Sequence, residues 1–179
     1  MPTTETAPTK EGTWVPPEGP VTWHYVCTDP VLRELPYKLE LDRFGRILMS
    51  PASTRHGRLQ YLLARLLDDA LEGGAAGVET AIRTVEGVRV PDVVWMSDAF
   101  ISALPENDEV FETAPEVCVE VMSPSNPWAE MEEKVTLYLA KGAQEVWICE
   151  PDGRLRWFGH EGERERSTLV PDAPAAVTL

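Results

Sequence analysis

Basic residues are scarce in this chain. Sixteen Lys plus Arg stand against thirty Asp plus Glu, giving a formal charge of −14 over 179 residues. A surface so charged repels a long polyanion instead of gathering one, so any such contact needs a local basic patch, metal ions or a partner. Cysteine is scarce as well. Cys27, Cys118 and Cys149 form no CxxC pair and no even framework, which argues against a disulfide scaffold or a cysteine-built metal site. Cys118 and Cys149 fall in apolar strand patterns, where buried free thiols are expected, and a reducing cytoplasm is the compartment that suits them. Long apolar runs are missing: none approaches the roughly 18 residues of a membrane span. The N-terminus also lacks a charged region followed by an apolar core. The expectation is a cytoplasmic protein with no membrane role. There is no internal repeat.

What is present suffices for one core, with 43% hydrophobic residues at this length. Residues 1–28 are rich in Thr, Pro and Glu without a period and read as an extended arm, although Trp14 and Trp23 suggest that part of it packs on the body or across a dimer. A single domain is expected over 29–170 and a tail over 171–179. Asp29 and Pro30 suit the start of a short helix over Val31 to Leu35. Tyr37 to Asp42, a turn at Arg43 to Gly45 and Arg46 to Met49 read as a β-hairpin. The strongest helix follows Ser53: Leu59, Leu62, Leu63, Leu66, Leu67, Ala70 and Leu71 recur at three- and four-residue steps until Gly73-Gly74. Gly77 to Glu86 and Val88 to Ser97 read as two strands paired antiparallel across a tight Glu86-Gly87 turn. Ser97 to Leu104 reads as a short helix, and Pro105 to Ala114 as an acidic loop near the mouth of a site. Gln144 to Cys149 and Arg154 to Phe158 are further strands, and Thr168 to Val170 is a candidate last one.

Three charged residues interrupt apolar patterns. Asp92 shares a strand face with Val90, Val94 and Met96, and Glu120 shares one with Cys118 and Met122 in a strand, Glu116 to Met122, that is apolar on both faces. An ionised carboxylate in such a place costs several kcal/mol unless it finds a cation, a hydrogen-bond shell or a shifted pKa, roughly the penalty of any unpaired buried charge. Lys134 lies on the apolar stripe of Met131, Val135 and Tyr138 in the next helix, for which Asn126 and Pro127 read as N-cap and first residue and Gly142 as the stop. Glu130, one turn earlier, is placed to orient the amine. Each residue has an ordinary reading: Asp92 as a turn residue after Pro91, Glu120 in a structural ion pair, Lys134 as a snorkelling surface side chain. Together they indicate a site. His56 on the leucine stripe and Glu79 are supporting candidates. Each also has a plain structural reading, as have Arg55 and Arg58.

The order of Pro91-Asp92 on one strand, Glu120-Val-Met-Ser-Pro-Ser at the end of the next, a helix with an inward Lys134 and the closing strand of Gly142-Ala-Gln-Glu-Val-Trp-Ile-Cys-Glu-Pro resembles the Uma-type restriction-endonuclease family of the PD-(D/E)XK nuclease-like superfamily. The resemblance covers about Tyr37 to Phe158. It departs from the superfamily pattern at Met122, where the E-x-K lysine would stand, and Lys134 is the residue that matches instead. The resemblance implies an α/β (α+β) restriction-endonuclease-like fold, a central mixed sheet flanked by helices with an N-terminal hairpin. It implies hydrolysis of phosphodiester bonds in nucleic acid, with DNA the expected substrate; a homodimer is expected because two-fold symmetry suits the cutting of two strands. Asp92 and Glu120, with the backbone carbonyl of Val121, would hold Mg²⁺ or Mn²⁺, and Lys134 would serve the transition state. His56, Glu130 and Glu79 would support them. The alternative is an inactive member of the fold that binds a partner, which the net charge favours.

Overall fold

The computed structural model describes residues 17, 19–51, 53–105 and 109–179. Trp14 lies outside them. The expected arm is helical where it reaches the body: α1 (Trp23–Thr28) is capped by Thr22, whose side chain accepts from Tyr25 N–H, and it buries Val26 against Leu32, Leu41 and Val88. A 3₁₀ turn (Leu32–Glu34) follows in place of the expected helix, its start held by the Asp29 carboxylate, which accepts from the N–H groups of Val31 and Leu32.

The expected hairpin forms from β1 (Tyr37–Asp42) and β2 (Ile47–Pro51), and it belongs to a four-stranded antiparallel sheet of order β2-β1-β5-β4. After α2 (Thr54–Ala70) come β3 (Gly74–Val78), β4 (Ile82–Thr84), β5 (Gly87–Arg89) and β6 (Val93–Ser97). The two long strands expected here are each broken in two. β3 pairs with β6 in one sheet while β4 pairs with β5 in the other, so the hairpin folds over from sheet to sheet. Pro91 is one cause, since it has no N–H for a ladder. Glu79 is the other, at a left-handed φ of 49°. At the far turn Gly87 has φ 110°, and a Cβ there would collide with the carbonyl of Leu41, so only glycine fits.

The second sheet has six strands in the order β10-β9-β8-β7-β6-β3. Its centre is β7 (Val117–Val121) beside β8 (Glu145–Cys149), a parallel pair joined through α4 (Trp128–Ala140). The other pairs, with β9 (Leu155–Gly159) and β10 (Gly162–Arg164), are antiparallel. α3 (Asp98–Ala103) is the short helix expected after Ser97, whose hydroxyl caps it. Helices cover both faces. Leu59, Leu63 and Leu67 of α2 pack on Val93, Trp95, Val117, Val119 and Trp147. Met131, Val135 and Tyr138 of α4 pack on Val94, Cys118, Val146 and Ile148 across the sheet. Each fully buried leucine contributes about 1.5–3 kcal/mol, so the α2 stripe fixes that helix firmly.

Thr168 to Val170 is not a strand. Ser167 and Thr168 instead donate to Glu145, and β10 is the last strand of the sheet. The C-terminal tail is attached to the body: Leu155 N–H donates to Ala175 O and Val177 N–H to Gly153 O, with Val177 buried. All three cysteines are free, Cys118 and Cys149 buried and Cys27 exposed. Among the described residues no helix is long and apolar enough to cross a membrane.

Candidate functional site

The register of β6 on β7, Val93 opposite Val119, brings Asp92 and Glu120 together at the end of the six-stranded sheet where β5 leaves for the other sheet. Alternation turns Glu120 toward α4, while Asp92, just before β6, meets Lys38 of β1, His56 of α2 and the Val121 N–H. Both acids are buried, Asp92 with 0% and Glu120 with 2% of its surface exposed. Lys134 comes from the inner face of α4, as its place on the apolar stripe predicts, and its Nζ lies 3.1 Å from Glu120 Oε1. The three residues singled out in the sequence therefore do meet.

Two partners were not anticipated. β1 runs under the site and sends Lys38 and Glu40 into it. Lys38 Nζ lies 2.6 Å from Asp92 Oδ1 and 3.3 Å from Glu120 Oε2, so one ammonium joins the two carboxylates. Glu40 Oε1 accepts from Lys134 Nζ at 3.1 Å and from Val90 N–H at 2.8 Å. The signal was the alternation of Tyr37-Lys38-Leu39-Glu40-Leu41, which sets Lys38 and Glu40 on one face. Beside an apolar partner face this reads as the solvent side, and it is the bend between the sheets that turns it inward. Tyr138, one turn beyond Lys134, donates to Glu120 Oε1 at 2.6 Å.

His56 does reach the site. Ser53 caps α2 by accepting from His56 N–H, and the imidazole Nε2 stands 3.1 Å from Asp92 Oδ1. Asp92 Oδ2 accepts from Val121 N–H at 2.7 Å, which fixes the carboxylate across β7. Glu130 does not orient Lys134. Its carboxylate accepts from Asn126 Nδ2, while Lys134 is drawn to the deeper Glu120 and Glu40. Asn126 is not the N-cap either; Pro127 holds that position, and the Asn126 side chain accepts from Ser123 N–H and Oγ–H. Glu79 stands at the cavity edge, its backbone N–H 3.3 Å from the Asp92 carbonyl. Arg55 donates to the Pro151 carbonyl, and Arg58 is exposed. The described part of the acidic loop is not at the site: Phe111 pairs with Ala81 and Arg83 backbone, and Glu109 meets α1.

Electrostatics follow from burial and neighbours. Burial alone would raise the Asp92 pKa, yet the Lys38 ammonium and His56 outweigh it and hold the carboxyl well below the usual carboxylate range. Glu120 goes the other way. Burial pushes its pKa up, Asp92 and Glu40 add to this, and Lys134 and Lys38 offset it only in part. Burial would lower both lysines, but Glu120 with Asp92 and Glu40 raises Lys38, and Glu120 with Glu40 raises Lys134, so both stay ammonium ions. Burial and the same carboxylates push the Tyr138 hydroxyl well up, which keeps it a donor.

The cluster opens on a cavity of about 420 Å³ lined by Lys38, His56, Glu120, Ser123, Asn126 and Lys134 among others. A larger hollow of about 760 Å³ lies between α1 and the four-stranded sheet, but its charged side chains, such as Arg43, Arg83 and Glu109, are exposed, whereas the buried charges border the smaller one. Among the described residues no three His, Cys, Asp or Glu side chains are gathered to hold an ion. A cage made only of protein ligands is therefore not the fit. Mg²⁺ commonly takes just one or two carboxylates and keeps its waters, and the Asp92 and Glu120 carboxylates already converge on one cation, the Lys38 ammonium. The donor set fits such an ion.

The sequence model of the family described as "Uma2: Putative restriction endonuclease" matches residues 29–177. No curated protein sequence matches the chain. Among solved structures, one described as "a putative nuclease belonging to DUF820 from Anabaena variabilis ATCC 29413" is similar, with a TM-score of 0.62 and 19% identity over 78% of this chain and 81% of that one. At that identity the likeness is one of fold.

Proposed function

Because this chain belongs to the Uma2 family, described as "Putative restriction endonuclease", and carries a buried carboxylate–ammonium cluster at the wall of a polar cavity, we propose that it is a metal-dependent endonuclease acting on DNA. The observation that carries this reading is the convergence of Asp92 and Glu120 on a single cation. Asp92, Glu120 and the Val121 carbonyl would hold Mg²⁺ or Mn²⁺. When bound, the ion supplies Lewis-acid activation of the phosphodiester and of water. Lys134, kept charged by Glu120 and Glu40, acts as a fixed positive charge toward the developing oxyanion. Tyr138 and Lys134 hold one Glu120 oxygen, and the other, 3.3 Å from the Lys38 ammonium, is the one that would face the ion. Val121 N–H and His56 hold Asp92. Ser123 and Asn126 line the same cavity, where a phosphate would enter. We place the activity in a homodimer, since two-fold symmetry suits the cutting of two strands.

A second reading has its own support. The Asp92 and Glu120 carboxylate oxygens already have protein donors, and the net charge of −14 opposes DNA. On that reading the cluster is a structural network in a binding module. The test is cleavage of mixed-sequence DNA with Mn²⁺ or Mg²⁺ at low salt, where weak polyanion contacts are least screened. The wild type is expected to cut, while Asp92→Asn and Lys134→Ala, folded, do not. Failure of all three to cut, with folding intact, favours the binding module.

A further inference from the structure

The ammonium of Lys38 occupies the point on which the proposed metal ligands converge. It bridges Asp92 Oδ1 and Glu120 Oε2 at 2.6 and 3.3 Å, whereas Lys134 is tied to the opposite Glu120 oxygen and to Glu40. The Asp92 side chain keeps 1% of its surface exposed, while that of Lys38 keeps 10% and lines the cavity. An ion arriving from the cavity therefore meets Lys38 before Asp92. Two cations cannot share the gap between two carboxylates without strong repulsion in so buried a place. Lys38 is the one free to leave. It lies on β1 opposite Ser50 of the edge strand β2, its four-carbon stem is flexible, and the cavity beside it holds Ser123, Ser125 and Asn126.

We propose that Lys38 is an internal competitor for the divalent ion. Its ammonium holds the carboxylate pair together in the absence of the ion. It yields the position when the ion binds and swings into the cavity, where its charge faces a bound phosphate. This rests on the metal-dependent reading above, and it adds a lysine on β1 to the one on α4. It also explains how two buried carboxylates are kept side by side before any metal arrives, since either alone would be costly.

Two measurements test it. The first is isothermal titration with Mn²⁺ of the wild type and Lys38→Met. The variant is expected to bind at least tenfold more tightly, because no ammonium has to be displaced; equal or weaker binding overturns the proposal while leaving the metal reading intact. The second uses the wild type alone and so does not depend on the variant folding. Reductive methylation of lysines, read by mass spectrometry, is expected to modify Lys38 severalfold faster at saturating Mn²⁺ than without it, with Lys134 unchanged. An unchanged rate at Lys38 overturns its release. Absence of Mn²⁺ binding by both folded proteins overturns the metal reading and this proposal with it.

Discussion

Two buried glutamates stand in the six-stranded sheet, and their surroundings differ in kind. Glu145, at the start of β8, has a carboxylate 1% exposed and closed in by donors: Ser167 Oγ at 2.6 Å, Thr168 Oγ1 at 2.6 Å, Trp147 Nε1 at 3.0 Å and Arg164 Nη1 at 3.1 Å. None of these donors is shared with another buried acid. Burial would raise its pKa, but the Ser167 and Thr168 bonds outweigh this and lower it. Glu120, at the end of β7, has donors that it shares with Asp92 and Glu40, its pKa is raised, and it borders a cavity. A closed shell pins the segment after β10 to the sheet. A contested shell, short of positive charge and open to a cavity, is what a cation would complete.

Glu145→Ala leaves buried donors without an acceptor and is expected to cost about 3–5 kcal/mol, as for a broken buried pair, read as a shift of the urea midpoint. Tyr138→Phe removes one donor from Glu120 and is expected to cost about 1–2 kcal/mol by the same measurement.

The pH dependence separates the two glutamates by sign. Stability rises with pH where the unfolded state binds more protons. The lowered pKa of Glu145 makes its contribution present above the unfolded carboxylate value of about 4.3 and lost as pH falls through the folded value. The raised pKa of Glu120 makes the folded state bind the extra proton, so its contribution is present below about 4.3 and lost as pH rises through the folded value. Unfolding free energies of the wild type minus Glu145→Gln should therefore climb with pH on the acid side. Those of the wild type minus Glu120→Gln should fall with pH above it, each by at most about 1.4 kcal/mol per pH unit. Like slopes would remove the distinction. The smallest effect is expected at His56: His56→Ala should weaken Mn²⁺ binding about tenfold, as loss of a supporting partner of a ligand does, with little change in stability.

Much of this was legible beforehand. The leucine stripe of α2, the apolar runs of β7 and β8 and the inward Lys134 on α4 all follow from periodicity, and two acids among valines pointed to the site. The bend of the 74–97 hairpin was not legible, because its apolar pattern continues through Pro91 and past Glu79, while strand pairing is settled by contacts far along the chain. With the bend went Lys38 and Glu40, which look like the wet face of β1 until the two sheets close on them. Glu145 sits in a run, Glu145-Val-Trp-Ile-Cys, that gives no hint of its shell; Ser167 and Thr168 lie more than twenty residues away. The spacing of Glu130, four before Lys134, says that a pair can form, and not that deeper acids will claim the lysine.

The most direct test sets the two glutamates side by side. Glu120→Gln and Glu145→Gln are each assayed for Mn²⁺-dependent DNA cleavage per folded molecule and for unfolding free energy. Glu120→Gln is expected to lose cleavage about a hundredfold or more, the scale of a lost transition-state contact, while Glu145→Gln cuts normally but unfolds more easily. Cleavage that survives in Glu120→Gln and disappears in a folded Glu145→Gln would contradict this expectation.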